Sequence, residues 1–197
     1  MNIEYIKENY IFETLNQHHD LNDFECESQD LTDFLKNDAL NQQNMNLNLT
    51  QLVICDEIIV GYVSILTDSM KLKILEDEET KKEICNELNI SENNELPAIK
   101  IGRFAIDKKY AKQGLGSHIL ANVLLSMFKL SKTKIGFRVI IVEAYAIALD
   151  FYIKNNFYTR ESDKEILKKI DMIKKQDPTR CFNIYLDLKD IKEEPKN

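Results

Sequence analysis

Apolar residues recur along this chain with two periods, and the switch between them marks out most of its elements. From Ala98 to Ile106 the alternation sets Ile99, Ile101 and Arg103 on one side of an extended segment and Lys100, Gly102, Phe104 and Ile106 on the other, a strand that Asp107 ends. Further on, Ile119, Leu120, Val123, Leu124 and Met127 repeat at helical spacing and predict a buried stripe of about four turns. Thr50–Cys55 and Ile58–Leu66 are β-branched runs separated by Asp56 and Glu57, which predicts an antiparallel hairpin. Phe137–Glu143 is almost continuously apolar, as a strand covered on both faces would be, and 146–155 reads as helical. Ile11–Leu15 reads as a first strand, Asp30–Leu40 as a helix ended by the Asn/Gln-rich residues 41–48, and Cys181–Leu188 as a last strand.

Two capping-box patterns add helices. Thr80 with Glu83 predicts a short helix carrying Ile84 and Leu88, followed by a polar loop at 91–97. Ser162 with Glu165 predicts a helix bearing Ile166, Leu167, Ile170 and Ile173 that stops before Pro178, and residues 189–197 read as a charged, frayed tail. No internal repeat or linker interrupts the 197 residues, so the expectation is one mixed α/β domain over 1–197.

The segment joining the 98–106 strand to the long helix reads Tyr110-Ala111-Lys112-Gln113-Gly114-Leu115-Gly116-Ser117. A helix N-terminus carries unused N–H groups and the positive end of the helix dipole, so a phosphate can be held there by main chain alone. The pattern lacks the Lys-Ser/Thr pair of a P-loop and the third glycine of a dinucleotide fingerprint. Spacing alone leaves two readings of Gly114 and Gly116 open, an anion-binding turn and a tight turn that permits close helix packing.

Composition narrows the function classes. No apolar run approaches the roughly 18 residues of a membrane helix, and the N-terminus lacks a basic-then-apolar signal, so a soluble, cytoplasmic protein is expected, with no membrane partner. Cys26, Cys55, Cys85 and Cys181 are widely spaced and read as buried free thiols. His18 and His19 are adjacent and His118 stands alone, which predicts no metal site. The net charge of −7 argues against broad nonspecific nucleic-acid binding.

The order of strand, glycine turn, second strand and a helix carrying Ala148-Leu-Asp-Phe151-Tyr152-Ile-Lys-Asn-Asn156-Phe157 resembles the GNAT superfamily of N-acetyltransferases over about residues 50–188. In that family the turn reads Arg/Gln-x-x-Gly-x-Gly/Ala. Gly114 and Gly116 match, whereas Ala111 replaces the Arg or Gln, leaving a turn led by its backbone. The later motif commonly reads Ala-x-x-Phe-Tyr-x-x-x-Gly-Phe, and Asn156 replaces its glycine, a departure that asparagine's tolerance of the left-handed region permits.

The resemblance implies a GNAT-like fold, a mixed and mostly antiparallel sheet splayed at its centre and flanked by helices, with acetyl-CoA as acetyl donor. It implies that Lys112, Gln113, Gly114, Leu115, Gly116 and Ser117 hold the pyrophosphate, that the main chain of Phe104, Ala105 and Ile106 pairs with the pantetheine arm, and that Ala148 and Phe151 line the donor site. Tyr152 would lie beside the thioester as the catalytic residue. A phenol stays protonated at neutral pH and can serve the departing sulfur as acid or hydrogen-bond donor, although an aromatic at this position also suits a core contact. Glu143 is a candidate base and Tyr145 a candidate acceptor contact. Arg103 reads equally as a structural partner or a substrate ligand, and His118 as a packed side chain.

A narrower resemblance rests on Phe24–Leu35, Val60–Ile65 and Leu96–Asp107, which are similar to toxin acetyltransferases that modify the amino acid on charged tRNA. It implies charged tRNA and an antitoxin as partners and leaves a homodimer open. The acidity of the chain weighs against it. Lys164, Lys168, Lys169, Lys174 and Lys175 make either a basic stripe or an ordinary solvated helix face, and the second is favoured. The expectation is therefore an N-acetyltransferase acting on a primary amine, with the toxin as first alternative and a catalytically silent CoA-binding or interaction module as the reading from another class.

Overall fold

Asp56 and Glu57 take φ of 46° and 65°, the left-handed pair that a tight two-residue hairpin demands. They join β2 (Leu49–Cys55) to β3 (Ile58–Lys71) in antiparallel register, as the flanking runs predict. The computed structural model describes residues 1–75, 78–160 and 163–191. The other strands are β1 (Ile11–Thr14), β4 (Glu95–Ile106), β5 (Val139–Tyr145), β6 (Tyr158–Thr159) and β7 (Cys181–Asp187). They build a seven-stranded sheet in the order β1-β2-β3-β4-β5-β7-β6. The pairs β1 with β2, β2 with β3, β5 with β7 and β6 with β7 are antiparallel. The sheet neighbours β4 and β5 are connected through the crossover helix α5 (Leu115–Thr133), the connection that parallel neighbours require.

Contacts divide the chain into two units. The first comprises residues Met1–Thr67 and Ile101–Leu124, and its core gathers Leu15, Phe24, Phe34, Leu35, Leu52, Tyr62 and Ala105. Helix α1 (Ile3–Asn9) opens it, and with Ile6 as its one buried residue it shows no apolar period from which sequence could infer it. The helix expected at 30–40 is α2 (Gln29–Asp33), a π-helical turn (Phe34–Asp38) and α3 (Ala39–Asn44). It outlasts the expected stop because the Gln43 amide donates to the Leu15 carbonyl at 2.8 Å and accepts from the Thr50 N–H at 2.9 Å, giving this polar stretch a structural partner. At the β3–β4 contact a side chain on Gly61 would meet the Ala105 carbonyl oxygen at 2.8 Å, so only glycine allows that approach.

The second unit comprises Asp68–Lys100 and Leu125–Asn197, with Met70, Leu72, Leu75, Leu96, Ala98, Val139, Ile141 and Tyr185 in its core. Its helices include α4 (Glu78–Leu88), α6 (Leu149–Lys154), α7 (Lys164–Leu167) and α8 (Ile170–Gln176). Several expectations change here. Thr80 does not cap α4 but lies buried inside it, its hydroxyl accepting from Lys189. The 91–97 loop gives way to strand at Glu95, and Pro97, which has no N–H, contributes its carbonyl to the Arg138 amide at 2.8 Å. Ser69 donates to the Glu95 carboxylate at 2.6 Å, and β3 continues through its exposed polar residues to Lys71 instead of ending at Leu66.

The helix expected up to Pro178 is broken into α7 and α8, with Lys169 at φ −108° and ψ 17°. Its proposed cap, Ser162, lies outside the described residues, as do residues 192–197 of the expected tail. Leu188–Asp190 form a 3-10 turn where fraying was expected. All four cysteines are free thiols, but only Cys55 is buried; Cys26 and Cys85 are half-buried and Cys181 is exposed. Among the described residues no helix is long and apolar enough to cross a membrane.

Candidate active site

In the first unit, the end of β4 leads directly into the glycine turn. Asp107, nine-tenths buried, organises this junction: its Oδ1 accepts from the Lys109 N–H at 2.8 Å and its Oδ2 from the Glu25 N–H at 3.2 Å. Its own N–H donates to the Val60 carbonyl at 2.9 Å and its carbonyl accepts from the Tyr110 N–H at 2.9 Å. From the sequence Asp107 is expected only to end the strand. Its signal was legible, since an aspartate opening a turn bonds its own backbone two residues on.

Lys112 (φ 59°) and Gly114 (φ 84°) both adopt the left-handed region, which turns the chain into α5. The α5 ladder opens with the His118 N–H donating to the Gly114 carbonyl at 3.3 Å. The amides of Leu115 and Gly116 precede that bond, at the positive end of a nineteen-residue helix. A Cβ built on Gly114 would meet nothing within 4 Å, so the space before the turn is open. The two side chains expected to assist are engaged with protein: Lys112 Nζ lies 2.5 Å from Glu27 Oε1, and the Gln113 amide donates to the Lys109 carbonyl at 3.2 Å. What the turn offers an anion is therefore chiefly backbone. Next to it along the chain, Ala105 is buried while Phe104 and Ile106 are half-buried at the strand end.

In the second unit, Ala148 closes a 3-10 turn, Ala146–Ala148, and is the N-cap of α6, which carries Phe151 and Tyr152. The helix ends in a Schellman arrangement: the Phe157 N–H donates to the Tyr152 carbonyl at 3.1 Å and the Asn156 N–H to the Ile153 carbonyl at 3.1 Å. Asn156 supplies the left-handed residue this cap needs, at φ 67°, so the asparagine does the work of the usual glycine. The accompanying apolar contact joins Tyr152 to Phe157, ring centroids 5.4 Å apart and edge to face, while Phe151 packs on the other side at 5.0 Å.

Tyr152 is thus held on three sides by backbone and rings and is only 6% exposed. Burial pushes its phenol well above the ordinary tyrosine range, because the phenolate would be poorly solvated. Its hydroxyl makes no hydrogen bond to any described residue. That hydroxyl is not among the fully enclosed side-chain atoms, so it is open to a ligand or to water.

The remaining candidates sort by their contacts. Glu143 is ion-paired with Lys100, Oε2 to Nζ 2.9 Å, and so is not an unencumbered carboxylate. Tyr145 is half-buried opposite Cys181 in the β5–β7 register. His118 packs against the Tyr10 ring at 5.8 Å, with the Asn122 amide 3.3 Å from Nε2. In the lysine group of α7 and α8, Lys168 pairs with Glu165 at the surface, while Lys174, largely covered, lies 2.6 Å from Asp150. Arg103 lies over the Phe34 ring, 5.0 Å from its centroid, and donates from Nη1 to the Gly102 carbonyl at 2.8 Å.

No family model matches the chain. Among solved structures it is similar to a tyrosine-to-phenylalanine mutant of KacT, at 19% identity over 92% of this chain and 96% of that one, with a TM-score of 0.71. AtaT complexed with acetyl-methionyl-tRNAfMet matches at 18% identity over 92% and 96% of the two chains, with a TM-score of 0.72. AtaTR bound with AcCoA matches at 19% identity over 92% and 95%, with a TM-score of 0.67. These likenesses are of fold, and they agree with the GNAT-like α/β architecture that the motifs predict.

Proposed function

We propose, from a fold shared with KacT and AtaT and from the contacts around Tyr152, that this chain is an N-acetyltransferase moving the acetyl group of acetyl-CoA onto a primary amine. The observation that carries this reading is Tyr152, a buried side chain aligned by a helix cap whose hydroxyl has no described partner. A purely structural aromatic at this site would be better served by phenylalanine, which has no hydroxyl to satisfy. The same point weighs against a catalytically silent module.

Acetyl-CoA supplies the thioester. The neutral amine attacks its carbonyl carbon, the C–S bond breaks, and the sulfur leaves as a thiolate that takes up a proton, while the new amide nitrogen loses one to water. Tyr152 donates a hydrogen bond to that sulfur as charge develops on it. Because burial holds the phenol above the range of an ordinary thiol, about 8.5, its proton stays on oxygen until the thiolate forms. The main-chain N–H groups at the α5 N-terminus hold the pyrophosphate, with Gly114 keeping its approach open. Phe104, Ala105 and Ile106 offer strand backbone to the pantetheine arm, and Ala148 and Phe151 the apolar contact. Glu143, occupied by Lys100, is the weaker candidate for the amine proton.

Among acceptors, the amino group of an aminoacyl-tRNA is favoured over a general amine, because AtaT, similar along 92% of this chain, was solved with acetyl-methionyl-tRNAfMet. AtaT toxin was also solved bound to the C-terminus of the antitoxin AtaR, so a cognate antitoxin is the protein partner this reading gives the chain, in the cytoplasm where charged tRNA is found.

The test is release of free thiol from acetyl-CoA in the presence of a panel of amines and aminoacyl-tRNAs. Turnover with at least one acceptor is expected, and Tyr152→Phe should lower kcat by roughly ten-fold or more with acetyl-CoA affinity little changed. Tight CoA binding without turnover would favour the silent module, and an unaltered kcat in Tyr152→Phe would remove the phenol from the mechanism.

A further inference from the structure

Arg103, on β4 in the first unit, is a half-buried cation with no anionic partner among the described residues. Its Nη1 is committed to a neutral carbonyl, that of Gly102, its face rests on the Phe34 ring, and its Nε is enclosed without any acceptor. Among the described residues no carboxylate lies within ion-pair distance of it. The contrast within the same unit is sharp: Lys108 pairs with Glu25 and Lys112 with Glu27, although both lysines are exposed and need a counter-ion far less.

A chain of net charge −7 has carboxylates to spare, yet none of the described ones is placed here. One carbonyl and one ring face return only part of the hydration a guanidinium gives up. Phe34, which supplies the ring, begins the π-helical turn, a helix irregularity that often accompanies a functional site. The guanidinium charge is delocalised, so an anion meeting its outer end would also compensate the enclosed Nε.

We propose that Arg103 receives an oxyanion carried by the amine acceptor, a phosphate or a carboxylate, and so selects acceptors by charge. This rests on the acetyltransferase reading and deepens it by assigning acceptor specificity to a residue on the strand leading to the glycine turn.

The experiment compares three acceptors of one amino acid: methionine amide, which is neutral, free methionine, which adds a carboxylate, and methionyl-tRNA, which adds phosphates. Wild type should favour one of the charged acceptors over the amide. Arg103→Gln should lower kcat/KM for that acceptor by roughly ten-fold or more while leaving the amide and the KM for acetyl-CoA unchanged, and Arg103→Lys should restore part of the loss. The acceptor that loses identifies the oxyanion as phosphate or carboxylate. Equal losses on all three acceptors, or wild-type preference for the amide, would overturn the proposal.

If Arg103→Gln does not fold, inhibition of wild type by inorganic phosphate and by acetate decides: competition of either one with the acceptor supports the role of Arg103, and competition with acetyl-CoA alone or no inhibition by both overturns it. If no acceptor releases thiol, the acetyltransferase reading fails on its own. Equilibrium binding of methionyl-tRNA then judges Arg103 separately, weaker binding by Arg103→Gln supporting it and equal affinity overturning it.

Discussion

At the scale of single residues, burial ties the Tyr152 proton to the stability of the fold. Its phenol is pushed above the reference value of 10.0 by burial alone. The folded protein therefore keeps this proton at pH values where the unfolded chain releases it, and stability present below pH 10.0 should be lost as pH rises beyond that value. Urea midpoints followed from pH 9 to 11, a window chosen around the roughly 10 of a free phenol, should fall less steeply in Tyr152→Phe than in wild type. Identical slopes would mean that the phenol is not held in its neutral form by the fold. Residue-level expectations taken from sequence divided according to whether the local backbone or a distant partner decided them. Asn156 could be read as a left-handed residue because that preference is intrinsic to asparagine, and its φ of 67° agrees. Neither the Glu143–Lys100 pair nor the absence of one at Arg103 could be read, since each depends on which side chains the sheet brings alongside.

Among the elements, the strand, turn and helix from Glu95 to Thr133 form the segment whose type was most legible. The glycine at the turn and the helix that follows it are local properties that local chemistry announces, whereas the left-handed Lys112 and the Asx turn at Asp107 came only with the structure. Gly114→Val should raise the dissociation constant for acetyl-CoA by roughly ten-fold or more, because a β-branched residue resists φ of 84° and would also fill the open space before the turn. Gly114→Asn, which tolerates the left-handed region, should fold more readily and so separates strain from occlusion. Calorimetric titration of both variants makes the check, and an unaltered affinity in the valine variant would remove the turn from phosphate binding. Elements shorter than one period escaped. The two residues of β6 show no alternation, α1 buries only Ile6, and the break dividing α7 from α8 falls in residues whose apolar spacing reads as one helix.

For the whole molecule, a net charge of −7 limits how an acceptor as anionic as tRNA can be held. Lys108, Lys112, Lys168 and Lys174 already have carboxylate partners, which lessens what each can offer a phosphate. Acetylation of aminoacyl-tRNA should accordingly depend weakly on salt, log kcat/KM falling against log salt concentration with a slope of about 3 or less in magnitude, where a strongly basic binder gives about 10. A slope near the larger value would place a basic surface where none has been identified. Sequence by itself determined the main succession of strands and helices, the hairpin at Asp56 and Glu57, the glycine turn at Gly114 that opens a long helix and the presence of Tyr152 on a short helix, because periodicity and turn preference are properties of neighbouring residues. Tertiary structure alone decided that the Tyr152 hydroxyl has no described partner, that Lys112 and Gln113 are engaged elsewhere, and that Arg103 rests on an aromatic ring without an anion. Burial and pairing are set by residues far apart in the chain, and no local pattern records which of them will meet.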